Sequence, residues 1–227
     1  MSADSYDEYE GLNRLALDRA GQAEAFDAIG DRYDEAFPHK DGQVSSAAWL
    51  AGELPPGSRV LDVGCGTGLP TSRQLAEAGH RVVGIDLSPA MVKLSGENVP
   101  GAEFHAMDVA ELRNGLLGGP GSFDGITAYF TLLMLPRAEI PYALRMLHDL
   151  LRPGGVMALS MVEADVDDFT IPFLGNSIRV SGFLREDLRR VVHDAGFDIA
   201  GEDSYAYAPA STDVPPEIQL FLHLRRA

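Results

Sequence analysis

The sequence contains a single cysteine, Cys65, so it cannot form an internal disulfide and does not require an oxidising compartment. No apolar run reaches the roughly 18–20 residues that a membrane-spanning helix needs. The first eight residues are acidic and lack the basic and apolar regions of a signal peptide. These absences predict a cytoplasmic protein with no membrane partner.

Basic residues are also scarce. The chain has 18 Lys and Arg against 34 Asp and Glu, which gives a formal net charge of −16. Repulsion between this charge and phosphate groups disfavours nucleic acid and anionic membranes as partners. The length of 227 residues, with 45% hydrophobic and 23% charged residues, suits one α/β domain with a sizeable core.

Short apolar runs alternate with helical stretches through most of the chain. Near-continuous apolar runs are typical of strands that are buried on both faces of a parallel sheet. The helical stretch from Ile140 to Leu151 has its apolar residues three and four apart, as expected for one buried helix face. The pattern therefore predicts a doubly wound α/β sheet. Its predicted strands are residues 60–63, 81–85, 102–107, 123–129 and 156–162.

Both ends of the chain differ from this pattern. Phe26, Ile29, Tyr33 and Phe37 fall on one helix face, and we assign residues 1–42 to a helical cap and 43–227 to the main domain. Residues 218–224 alternate apolar and polar side chains, which predicts a half-exposed antiparallel strand. The connection 163–182 is unusually apolar and is predicted to form a lid or pocket wall.

A glycine-rich turn follows the first predicted strand. Gly64, Gly66 and Gly68 let the backbone approach a ligand, and the next helix offers free N–H groups to a negative charge. The third glycine comes one position earlier than in the dinucleotide pattern G-x-G-x-x-G, which disfavours a dinucleotide ligand. Asp62 lies two residues before the first glycine, and we interpret Cys65 as a packing residue.

Acidic residues also end the next two predicted strands. Asp86 is placed to accept hydrogen bonds from both hydroxyls of a ribose, and Asp108 to accept one from the exocyclic amine of an adenine. The carboxyl ends of parallel strands share one edge of a sheet, where open α/β sheets bind ligands. Together with Asp62, these residues predict a nucleoside-binding site.

These motifs resemble those of class I S-adenosylmethionine-dependent methyltransferases, over roughly residues 40–227. Residues 62–68 match the family's D-x-G-x-G-x-G loop, 83–88 match its ribose-binding strand end, and 150–155 match its turn into the fifth strand. The resemblance implies a seven-stranded, mostly parallel, Rossmann-like sheet. Its last strand, residues 217–225, is expected to lie antiparallel between the fifth and sixth.

The resemblance further implies that S-adenosylmethionine donates a methyl group to a small organic acceptor by in-line displacement, leaving S-adenosylhomocysteine. Tyr33 and Phe37 are predicted to cover the sulfonium. Tyr129, Phe130 and residues 163–182 are predicted to form the acceptor wall. The predicted cofactor-binding residues are Tyr33, Asp62, Gly64, Cys65, Gly66, Gly68, Asp86, Leu87, Met91, Asp108, Val109 and Tyr129.

Several questions stay open at this point. His39 is the candidate for a catalytic base, whereas His148 and His223 fit structural positions, and methyl transfer to many acceptors needs no protein base. The acidic stretch 163–168 lacks the spacing of a metal site, so we expect no metal. An S-adenosylmethionine-binding protein or a cyclase without intermolecular methyl transfer is the alternative function. The chain is expected to be a monomer or homodimer.

Overall fold

The computed structural model describes residues 19–208 and 216–227, so predictions for residues 1–18 lie outside the described residues. In chain order the helices are α1 (Ala20–Ile29), α2 (Arg32–Ala36), α3 (Asp41–Glu53), α4 (Thr71–Glu77), α5 (Pro89–Asn98), α6 (Ile140–Leu150) and α7 (Arg185–Asp194). The strands are β1 (Arg59–Val63), β2 (Arg81–Asp86), β3 (Glu103–Ala106), β4 (Phe123–Tyr129), β5 (Leu151–Val162), β6 (Phe169–Phe173), β7 (Asn176–Val180), β8 (Phe197–Tyr207) and β9 (Glu217–Arg226).

Seven strands form one sheet in the order β3-β2-β1-β4-β5-β9-β8. Strands β1 to β5 pair in parallel, whereas β9 pairs antiparallel with both β5 and β8. The strand order reverses between β1 and β4, which opens a crevice at their carboxyl ends. This topology confirms the predicted α/β fold, including the antiparallel last strand between β5 and β8.

The sheet is covered on both faces, which explains the apolar runs. Leu61 and Ile126 are fully buried and belong to the cluster that packs against Leu147 of α6. On the other face, Val60 packs in a cluster with Leu50 of α3. Burying such a side chain contributes about 1.5–3 kcal/mol, so both faces hold the helices in place.

The predicted N-terminal helix is two helices. Gly30 adopts a positive φ of 53° and ends α1, and α2 follows after a short turn. The aromatic residues remain on one side because both helices pack on the same cluster, which includes Phe173 and Ile178 of the β6–β7 hairpin. Helix α3 runs through the boundary between residues 42 and 43, and the division into cap and domain stays a prediction.

Two elements differ from the sequence-based expectation, and a third was not assigned residues. The apolar segment 163–182 contains the β6–β7 hairpin, whose tip residues Leu174 and Gly175 both have positive φ, as in a type I′ turn. Strand β5 begins at Leu151, which was predicted to lie in the preceding helix. The resemblance implies a sixth strand without assigning residues to it, and this strand is β8, an edge strand with mostly exposed residues and no buried apolar run.

Candidate functional site

A cavity of about 820 Å³ lies at the carboxyl ends of the parallel strands, below α1, α2 and the β6–β7 hairpin. Its volume falls within the usual range for small-molecule sites. Most of the predicted site residues meet there, whereas Asp62 and Gly68 do not line it. The predicted residues on its wall are Tyr33, His39, Gly64, Cys65, Gly66, Asp86, Leu87, Met91, Asp108, Val109 and Tyr129.

The glycine loop is held against β2 by its own backbone. The N–H groups of Gly64 and Cys65 both donate to the carbonyl of Ile85, at 2.8 and 2.9 Å. Gly64 and Gly66 have positive φ values of 70° and 53°. A Cβ at Gly64 would collide with Thr131, whereas one at Gly66 would meet no protein atom within 4 Å. Gly64 is therefore required for close packing against Thr131, whereas Gly66 exposes its backbone on the cavity side of the loop.

Asp86 is fixed by the two loops on either side of it. Its Oδ2 accepts a hydrogen bond from Gly66 N and its Oδ1 accepts one from Ser88 N, both at 2.9 Å. Burial raises the pKa of this carboxyl, and the backbone N–H donors partly oppose that rise. Each oxygen keeps acceptor capacity for a ligand hydroxyl, so the residue fits the predicted contact with a ribose.

Asp62 lies behind the loop and ties three elements together. Its carboxylate accepts hydrogen bonds from Ser72 Oγ of α4, at 2.6 Å, and from Thr127 Oγ1 of β4, at 2.8 Å. Burial raises its pKa to about 6. Gly68, with a φ of 79°, faces Ser95 of α5 rather than the cavity. Contacts of Asp62 and Gly68 with a cofactor stay predictions.

Asp108 reaches the cavity already engaged by an arginine. Arg19 Nη1 lies 2.6 Å from Asp108 Oδ1, which also accepts the N–H of Ala110 at 2.7 Å. The same guanidinium pairs with Glu139. The sequence did not indicate Arg19, which precedes Asp108 by 89 positions. A ligand amine would share this acceptor with Arg19, and the contact with an adenine stays a prediction.

Two carboxylates fasten the cap to the loops around the cavity. Asp27 of α1 accepts hydrogen bonds from Ser88 Oγ at 2.5 Å and from Ala90 N at 3.0 Å. Asp34 of α2 accepts one from Thr67 Oγ1 of the glycine loop at 2.7 Å and pairs with Lys40 at 2.5 Å. Sequence reasoning missed both, because an acidic residue on the polar side of a short helix usually contacts only solvent.

The cap is also joined to the hairpin. Gln22 Nε2 of α1 donates to the carbonyl of Arg179 in β7 at 2.9 Å, and Gln22 Oε1 accepts the Arg179 N–H at 3.0 Å. Below this link, the rings of Tyr33 and Phe37 lie 5.0 Å apart, and those of Phe37 and Phe173 lie 5.8 Å apart. We call Phe26, Tyr33, Phe37 and Phe173 the aromatic roof of the cavity.

The end of β4 contributes two more aromatic residues. Tyr129 and Phe130 both line the cavity, and burial raises the pKa of the Tyr129 hydroxyl. Phe130 has a φ of 52°, which is uncommon for a bulky residue. Its N–H donates to Ser160 Oγ at 2.9 Å, and its ring packs edge-on against Phe221 at 5.7 Å. These contacts hold Phe130 in the turned conformation.

The histidines and acidic groups were also considered as sites. His39 is exposed at the cavity wall, whereas the ring of His148 packs on Phe197 at 5.3 Å and that of His223 stacks on Trp49 at 4.2 Å. In residues 19–208 and 216–227, no group of three His, Cys, Asp or Glu side chains could hold a metal ion. The same residues include no helix that is long and apolar enough to cross a membrane.

Comparison with known proteins identifies the family. Residues 39–201 match the family model described as "Methyltransferase domain". Ubiquinone biosynthesis O-methyltransferase from Xanthomonas campestris pv. campestris (strain B100) is 37% identical over 125 residues, which are 53% of this chain and 49% of that protein. Trans-aconitate 2-methyltransferase from Deinococcus radiodurans is 35% identical over 133 residues, 56% of this chain and 48% of that protein. The matches thus span about half the length of these relatives.

A solved structure agrees over a longer stretch. The Burkholderia thailandensis 1,6-didemethyltoxoflavin-N1-methyltransferase, determined with 1,6-didemethyltoxoflavin and S-adenosylhomocysteine, superposes with a TM-score of 0.69 at 23% identity. The superposition covers 94% of this chain and 90% of that one. The family model covers more than half of the sequence, and the sheet order and glycine loop agree with it. The chain therefore belongs to the class I S-adenosylmethionine-dependent methyltransferases.

Proposed function

We propose that this chain transfers the methyl group of S-adenosylmethionine to a small organic acceptor. One observation carries the proposal: a single cavity runs from Asp86 and Asp108 to the aromatic roof. Its first end offers carboxylates and bare backbone, and its second end offers apolar and aromatic surface. That combination suits a nucleoside-like donor beside a flat acceptor.

The chain's own residues would act mainly by positioning. S-adenosylmethionine, when bound, supplies a methyl group activated by a positive sulfur. Asp86 would orient the ribose, and Tyr33 in the roof would place an aromatic face toward the positive charge. Holding two reactants in the reactive geometry accounts for about 7–11 kcal/mol of barrier reduction, so no side chain needs to form a covalent intermediate.

The size and charge of the site support a small acceptor. The aromatic roof and the hairpin line a cavity of about 820 Å³, a volume that suits ligands of metabolite size. The formal net charge of −16 disfavours nucleic acid as the acceptor. The proposal includes a cytoplasmic location and a monomeric or homodimeric state, and His39 remains the sequence-based candidate for a base.

Two measurements test this function. Calorimetry with S-adenosylmethionine should show binding, and its absence would overturn the proposal. Purified protein is then incubated with methyl-labelled S-adenosylmethionine and a panel of phenols, amines and carboxylic acids. Acceptor-dependent release of S-adenosylhomocysteine is the expected result. Binding without release across the panel would favour the binding-protein or cyclase alternative.

A further inference from the structure

Within residues 19–208 and 216–227, the two Lys and Arg side chains on the cavity wall are each paired with a carboxylate. Arg19 bonds to Asp108 at 2.6 Å, and Lys40 bonds to Asp34 at 2.5 Å. A carboxylate entering the cavity would therefore find no unpaired Lys or Arg on the described part of its wall. Burying a charge without a partner is costly, so the electrostatics disfavour an anionic acceptor.

The carboxylates on the described wall, in contrast, do not all have a cationic partner. Glu163 is paired with Arg185 at 3.1 Å. Asp86 has backbone donors and is assigned to the ribose. This leaves Glu217 as a further wall carboxylate with no cationic partner within residues 19–208 and 216–227. Such a group favours a ligand that brings a hydrogen-bond donor.

Glu217 begins β9 and is directly opposite Tyr207 of β8. Gln219 Nε2 donates to Glu217 Oε1 at 2.9 Å, which leaves Oε2 without a donor from the described residues. The Tyr207 hydroxyl is buried and also has no hydrogen-bond partner there. Phe37 of the roof stacks on Tyr207 at 6.0 Å with an interplanar angle of 17°. The Glu217 carboxylate and the Tyr207 hydroxyl thus lie at the edge of the flat surface formed by the rings of Phe37 and Tyr207.

This edge is also close to the expected position of the methyl donor. Phe37, which stacks on Tyr207, also lies 5.0 Å from the ring of Tyr33, the roof residue assigned to the sulfonium, and Tyr33 and Glu217 line the same cavity. Burial raises the pKa of Tyr33, and the charges of Asp34 and Glu217 add to that rise. Burial raises the pKa of Glu217 itself, while the hydrogen bond from Gln219 opposes the rise. A raised pKa makes a carboxylate a better proton acceptor near neutral pH.

We infer that Glu217 binds the acceptor and accepts its proton, and that the acceptor is a flat, apolar molecule with an uncharged hydroxyl rather than a carboxylate. The inference rests on the proposed function. The hydroxyl oxygen bonds to the methyl carbon while the electron pair of the carbon–sulfur bond moves to sulfur, which becomes a neutral thioether. The hydroxyl proton passes to Glu217, which later returns it to water.

The test uses binding, so it does not depend on knowing the natural acceptor. Catechol and benzoate are flat aromatic probes of similar size, one neutral and hydroxylated and the other anionic. Each is titrated calorimetrically into the full chain saturated with S-adenosylhomocysteine, for wild type, Glu217→Gln and Glu202→Gln. Glu202 is the control, because it lies on β8 outside the cavity wall and pairs with Arg189 at 2.7 Å.

Wild type and the Glu202 variant should bind catechol at least about tenfold more tightly than benzoate. Glu217→Gln should lose most of this preference, by weaker catechol binding and stronger benzoate binding. Catechol affinity of wild type should also fall as the pH is lowered through the raised pKa of Glu217, and should change less in Glu217→Gln. A merely structural role would not produce that difference in pH dependence.

The variant changes no other titratable or charged group, so the difference in pH dependence between the two proteins isolates Glu217. On the described part of the cavity wall, those groups are Arg19, Tyr33, His39, Lys40, Cys65, Asp86, Asp108, Tyr129, Glu163 and Tyr207. Equal affinities for the two probes in wild type, no binding of catechol, or an unchanged preference in Glu217→Gln would each overturn the inference. Methyl transfer to another acceptor class would then leave the proposed function standing.

Discussion

The carboxylate of Asp86 accepts a hydrogen bond of 2.9 Å from the backbone N–H of Gly66, 20 residues earlier in the chain. The acid that we propose to bind a ribose therefore also fixes the backbone of the glycine loop. Binding and loop geometry depend on one side chain. Replacing that side chain should affect both.

Asp86→Ala should weaken S-adenosylmethionine binding by about 2–3 kcal/mol, because a charge-assisted contact is lost. The melting temperature should also fall, since Gly66 N and Ser88 N lose their acceptor. Calorimetry and thermal unfolding measure the two effects. Asp198→Ala, at an exposed position of β8, is the control and should change neither. Unchanged affinity in Asp86→Ala would remove the ribose assignment.

Substitution by alanine should destabilise the fold less at Gly66 than at Gly64. Gly66→Ala places a Cβ toward open space, so its folding cost is limited to about 1–2 kcal/mol for the positive φ. Gly64→Ala adds a collision with Thr131, which costs about a further 1–3 kcal/mol. Urea unfolding compares their stabilities. Gly66→Ala should lose cofactor affinity while remaining folded, and equal stability of the two variants would contradict this division of roles.

Asp34→Asn should speed the release of bound cofactor about tenfold. The variant loses the ion pair with Lys40, and its hydrogen bond from Thr67 is no longer strengthened by a negative charge. Stopped-flow displacement of S-adenosylhomocysteine measures the rate. Asp31→Asn is the matched control, since Asp31 is exposed at the start of α2. If both variants release the ligand at the wild-type rate, Asp34 does not fasten the cap.

Asp62 should make stability depend on pH. Its folded-state pKa of about 6 lies above the ordinary value of 3.8, so ionisation of this group disfavours the folded state. Below about pH 4 both states are protonated and there is no effect. Between about pH 4 and 6 the cost develops, and it reaches about 3 kcal/mol near neutral pH.

The comparison with Asp62→Asn isolates this cost, because all other carboxylates are shared. The unfolding free energy of wild type relative to the variant should fall as the pH rises through that window. Urea titrations at pH 4, 5, 6 and 7 measure it. Parallel curves for the two proteins would mean that Asp62 has an ordinary pKa in the folded state.

The parts of the fold that were predicted correctly are those with a local sequence signal. Strands β1, β2, β4 and β5 each have a continuous run of buried residues, and the spaced glycines mark the loop after β1. Strand β8 carries no such run, because it lies at the edge of the sheet and most of its residues are exposed. The β6–β7 hairpin was missed because a short apolar segment fits a loop wall equally well.

In the candidate site too, the residues with a local sequence signal were predicted and those without one were missed. Asp86 and the glycine loop each belong to a short local motif, at residues 83–88 and 62–68, and Asp86, Gly64 and Gly66 line one cavity. Arg19 meets Asp108 across 89 residues, and Gln22 meets Arg179 across 157. Contacts over such separations arise only from the folded topology. A polar residue on a helix gives no sign of which distant strand it will face.

The two hydrogen bonds between Gln22 and Arg179 join the first helix to the hairpin. These bonds therefore connect the hairpin, which we propose to contact the acceptor, with the helices that we propose to retain the methyl donor. A change in β6 or β7 that admits a bulkier acceptor would be transmitted through α1 to the residues around the glycine loop. Altered selectivity and altered turnover should consequently arise together in laboratory evolution of this enzyme.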